Sequence, residues 1–104
     1  MDEMNLCVDL RNVYFDSEPD IPVVGGPLCR GYRAVLAGHI KEGRRMIQDF
    51  LTSVYWTRPH EQSTRRFVSQ ICRERNVSIL GPEDEASRAI VFEAAGRRFD
   101  AFHY

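Results

Sequence analysis

A chain of 104 residues, 43% hydrophobic and 28% charged, has material for one small core and reads as a single compact domain spanning residues 1–104. Its N-terminal stretch carries acids where a secretory leader carries positive charge, and nothing in it approaches the ~20 apolar residues of a membrane span, so the expected setting is cytoplasmic and away from membrane. The net charge of −1 conceals a partition: residues 1–27 sum to −5, residues 28–80 to +6 and residues 81–104 to −2, a polarity that orients macromolecular encounters but is far from the overall basic balance of strong phosphate binders.

Residues 4–10 alternate, with Met4, Leu6, Val8 and Leu10 on one side and Asn5, Cys7 and Asp9 on the other, the period of a half-buried strand. Val13, Tyr14 and Phe15 extend it or pair with it. Asp16–Asp20 breaks the strand, and Val23–Pro27 reads as a turn-rich connection. The passage from Val23 to Gly31 could offer backbone N–H groups and Arg30 to an anion, but it lacks the spacing of a phosphate-binding loop, and an ordinary turn is favoured. Cys29 in that passage is a conceivable thiolate nucleophile, though a buried, inert side chain is the favoured reading. With Cys7, Cys29 and Cys72 odd in number and far apart, reduced thiols are expected rather than bridges, and the Asn76-Val77-Ser78 sequon is expected to be silent.

From Tyr32 to Val54 the apolar residues recur at the spacing of an amphipathic helix, with Arg33, Lys41, Arg44, Arg45 and Gln48 on the other side. Gly38 and Gly43 interrupt it, so a close helix approach, a kink or a division into two helices is expected. Pro59 ends this helix near Trp56 and opens the next. That second helix buries Phe67, Val68, Ile71 and Cys72, presents Gln62, Arg65, Arg66, Ser69 and Arg73, and is capped by Asn76. Val77–Leu80 reads as a short strand. The last eighteen residues read as a β-hairpin turning at Ala95-Gly96, which pairs Phe92 with Phe99, Ile90 with Ala101 and Glu93 with Arg98. The expected fold is therefore α+β: two or three helices on one face of a mostly antiparallel sheet with a C-terminal hairpin.

No CxxC, HxxxH or HExxH occurs, and His39, His60 and His103 have no partner at ligand spacing. No metal, cofactor or catalytic residue is assigned, and His39, on the apolar helical face, reads as a core histidine. The candidate partner-binding surface is Arg44, Arg45, Arg58, Arg65, Arg66 and Arg73 with Tyr55 and Trp56 between them, the composition of an interface hot spot. The leading expectation is a small non-enzymatic binding protein that acts as inhibitor or adaptor on a protein or ribonucleoprotein partner; one concrete form is a phage- or mobile-element-encoded blocker of a host complex. The alternative is a DNA- or RNA-binding regulator using the arginine face, shaped like a helix-turn-helix with Arg97-Arg98 near the tip of a wing. An enzyme built on Cys29 is a third reading. The aromatic tail Phe102-His103-Tyr104 leaves a homodimer edge open.

Overall fold

A computed structural model of the chain describes residues 26–59 and 62–103. They form four helices: α1 (Pro27–Leu36), α2 (Ile40–Thr57), α3 (Ser63–Arg75) and α4 (Glu85–His103). No strand occurs among the described residues, which overturns the α+β expectation. The proposed strands at residues 4–10 and 13–15 lie outside the described residues. Residues 77–80 form an irregular link, and the supposed hairpin is the single helix α4.

The reason lies in the position of α4. Ala95 and Phe99 enter a core with Leu28 of α1 and Ile47, Leu51 and Val54 of α2. Val91 and Ala94 enter a second core with Val68 and Ile71 of α3. A helix buried on two sides has apolar residues nearly all round and no single stripe, so its periodicity is unreadable. Its start is nevertheless marked. The Asp84 carboxylate accepts from the backbone N–H of Ser87 at 2.9 Å and from its Oγ at 2.8 Å, and Ser87 Oγ in turn accepts from Leu80 N–H at 2.9 Å. These bonds hold the Asp84 carboxyl below its ordinary value, the Ser87 hydroxyl contributing most. Carboxylates at this position satisfy N–H groups that the first helical turn leaves unpaired.

The expected long helix is divided in two. Pro27 occupies the first turn of α1, where its missing N–H costs nothing. Gly38, at φ 96°, takes the left-handed conformation that ends α1. His39 N–H then reaches Ala34 O at 2.9 Å, and α2 begins at Ile40. Gly43 supplies the close approach. A Cβ there would strike Val35 Cγ2 at 2.6 Å and Val35 N at 2.8 Å, and one on Gly31 would meet Ile47 Cγ1 at 2.8 Å. The two helices thus cross almost backbone to backbone. His39 is exposed at the start of α2 rather than buried in a core.

Residue Thr57 ends α2 one position after Trp56, and α3 starts at Ser63, four residues beyond Pro59. Asn76 ends α3 in the left-handed conformation with φ 53° and ψ 50°, as its short polar side chain permits. α3 packs chiefly on α4 and touches α2 only near the latter's C-terminal end. That arrangement, and the placement of Arg97 and Arg98 on a helix, removes the helix-turn-helix with a wing. Among the described residues no helix is long and apolar enough to cross a membrane.

Candidate functional site

The eight predicted contact residues do not form one surface. Arg44 turns inward on α2: its Nη2 pairs with Asp100 at 3.1 Å, its Nε donates to Gln48 Oε1 at 3.3 Å, and its guanidinium lies 5.6 Å from the Phe99 ring. Gln48, expected on the solvent side, is only 8% exposed. It donates to the carbonyl of Phe92 across the α2–α4 contact at 3.1 Å, above Gly96, where a Cβ would come within 2.7 Å of Gln48 Nε2. Arg44 is therefore tied to α4, with its side chain still part-exposed. Arg45 remains exposed, on the rim of an open groove between α2 and α4 lined also by Lys41, Glu42 and Phe92.

Eleven residues separate Arg44 from Tyr55, roughly 16 Å along the helix, and there a second group is assembled. Tyr55 and Trp56 meet edge to face with centroids 4.8 Å apart. Both lean on the second core. Arg65 reaches back from α3, its guanidinium 4.1 Å from the Tyr55 ring centroid and its Nη2 donating to Tyr55 O at 2.7 Å. These contacts join the C-terminal end of α2 to the first turns of α3 and fix the Arg65 side chain, with the aromatic rings facing inward. Arg58, just past α2, is half-buried.

On the outer side of α3, Arg66 and Arg73 are exposed, and with Gln62, Arg65 and Ser69 they line a shallow groove of about 280 Å³. Positions 62, 66, 69 and 73 recur at the i, i+3, i+4 spacing of one helical stripe. Among the described residues neither a carboxylate nor an apolar side chain lines this groove. The stripe was legible in the sequence as the outward set of the second helix, yet Gln62 and Ser69 were not assigned a role in it. Their polarity alone does not distinguish a solvated face from a binding one.

The opposite edge of α3 is neutralised. Arg97 of α4 donates to both carboxylate oxygens of Glu74, at 3.1 and 3.2 Å, and to Glu93 at 3.2 Å, while Arg75 pairs with Glu93. The Glu74 and Glu93 carboxyls are held below their ordinary values, mainly by hydrogen bonds from Arg97 and Arg75 respectively, and the Arg97 guanidinium is raised by Glu74. Arg75 is thus committed to a carboxylate, while Arg66 and Arg73 lie on the other side of α3. Arg98 and Phe102 stack near the end of α4 at 4.5 Å, with Phe102 partly exposed.

Cys29 is 2% exposed, which takes it away from solvent as a nucleophile, and Cys72 is a free thiol; Cys7 lies outside the described residues. No cluster of His, Cys, Asp or Glu able to hold a metal occurs among the described residues. No family model, curated protein or solved structure matches the chain.

Proposed function

We propose that the chain is a small binding protein that acts as an inhibitor or adaptor by laying the outer face of α3 on a protein or ribonucleoprotein partner. The observation that carries this reading is the arginine groove. Arg66 and Arg73 project from a helix whose other sides are committed to α4 and to Tyr55, so the groove sits on a supported element rather than a loose loop. Supported side chains lose less freedom on binding, which favours affinity. Arg45, on the α2–α4 groove, lies too far along α2 to share this contact, and Arg44 is occupied within the fold.

The test is affinity capture of the tagged chain from native lysate, with nuclease treatment in parallel. The expected result is a stoichiometric complex that Arg66→Glu with Arg73→Glu abolishes while the helical circular dichroism is retained. Capture unchanged by that folded double variant would remove α3 from the interface.

A further inference from the structure

We propose that the open groove between α2 and α4 is a second docking site, one that takes an acidic peptide segment of a partner protein. An apolar side chain of the peptide rests on the Phe92 ring, and its flanking carboxylates pair with Lys41 and Arg45. This site lies apart from the α3 face and does not depend on it. The groove holds about 690 Å³, room for several side chains of a bound chain rather than one small ion. Its apolar element is Phe92, 36% exposed and a member of neither core. An aromatic ring left open in a groove is the kind of anchor on which protein interfaces centre.

The charges identify the occupant. Lys41 and Arg45 stand one helical turn apart on α2, both are exposed, and among the described residues neither has a hydrogen-bond or ion-pair partner. Two such cations beside an aromatic ring complement a chain that carries carboxylates next to an apolar residue. Glu42 also lines the groove and is exposed. Its carboxylate repels a phosphate backbone, whereas a peptide brings backbone N–H groups that it can accept from. The mixed lining therefore fits an acidic peptide rather than a nucleic-acid strand. Arg44 and Gln48 complete the wall without being offered to the peptide. Arg44 is held by Asp100 and Gln48, and the Gln48 amide is used at both ends, by Arg44 and by the Phe92 carbonyl. These bonds set the wall before the peptide arrives, so little of the ordering cost falls on the protein.

The experiment selects binders from a phage-displayed library of random peptides of about ten residues and then follows one labelled selected peptide by fluorescence anisotropy. Selected sequences are expected to carry a leucine, methionine or aromatic residue flanked by aspartate or glutamate. Phe92→Ala should weaken the selected peptide at least about tenfold. Lys41→Glu with Arg45→Glu should do the same, and should regain binding when the acids of the peptide are changed to lysine. Both positions are exposed, and an acid at residue 41 suits the first turn of α2, so this variant keeps its fold, as circular dichroism checks. Arg66→Glu with Arg73→Glu makes the same change in total charge on α3 and should stay within about twofold of wild type.

Selection of basic or uncharged sequences would overturn the proposal, as would the absence of any enriched sequence. Equal losses in the two double variants would overturn it as a bulk-charge effect, and binding that survives both groove variants would place the peptide elsewhere. An RNA of about ten nucleotides that displaces the peptide and binds more tightly would give the groove to nucleic acid instead. Capture with the Arg66/Arg73 variant tests the α3 interface separately, so either site can fail while the other stands.

Discussion

Where α1 crosses α2 the contact is backbone against backbone, whereas α3 meets α4 through side chains edged by ion pairs. At the first crossing Gly31 and Gly43 leave no room for a methyl group, and the core beside it is filled by Phe99, Leu28, Ile47 and Leu51. In the second, Val68 and Ile71 rest on Val91 and Ala94, with Tyr55, Trp56 and Phe67 at the margin and Arg75, Arg97, Glu74 and Glu93 along one edge. Close packing makes the first contact intolerant of added volume. The second spreads its stability over groups that water and salt can reach. It follows that α1, α2 and one side of α4 form the rigid frame, and α3 is the layer whose outer face can be altered without disturbing it.

Three substitutions separate the regions by size of effect. Phe99→Ala should be the most damaging, at about 3–5 kcal/mol, because a 1% exposed ring leaves a cavity between α1, α2 and α4; urea denaturation measures it. Gly43→Ala should cost about 1–3 kcal/mol, overpacking at the crossing outweighing the ~1 kcal/mol that alanine otherwise gains in a helix. A stabilised protein would show that the helices can separate there. Ser87→Ala, at the link between α3 and α4, should cost about 1 kcal/mol, since it removes the acceptor of Leu80 N–H and one donor to Asp84. An unchanged denaturation midpoint would show that Asp84 caps α4 without it.

The same contrast explains what could be read from the sequence. α2 and α3 each have one buried stripe, so their existence, the end of α2 near Trp56 and the Asn76 cap were legible. Both glycines of the Tyr32–Val54 segment mark interruptions in the sequence, but which does what is seen only in the structure, where Gly38 divides the helix and Gly43 allows the close approach. α4 was not legible. With Val91 and Ala94 facing one core and Ala95 and Phe99 the other, its apolar residues fit a paired hairpin as well as a helix, and only the Asp84-to-Ser87 cap argued otherwise. Arg44 and Gln48 were misplaced for a related cause: α4 covers the side of α2 that looked polar, and their partners Asp100 and Phe92 are about fifty residues away, beyond the reach of local spacing. The α3 stripe needed no distant partner, so its outward residues could be identified directly.

The smallest effect tests the ion-paired edge itself. Glu74, Glu93 and Asp84 have carboxyls lowered in the folded chain, so each contributes stability above its unfolded value and loses it as pH falls through the folded one. The loss should begin near the unperturbed carboxylate range of about 3.9–4.3 and deepen below it. Arg97, raised by Glu74, stays charged throughout and adds no slope in this window. Thermal midpoints measured downward from about pH 5 should therefore fall, and Glu74→Gln with Glu93→Gln should flatten the decline while leaving the Asp84 share. High salt should mimic the double variant, because these groups are solvent-reachable. Gly43→Ala should not change the slope at all, since the crossing it disturbs contains none of these carboxylates. A double Glu→Gln variant with the wild-type acid profile would show that α3 is held by its apolar contacts and by Arg65 on Tyr55, and that the ion pairs merely decorate its edge.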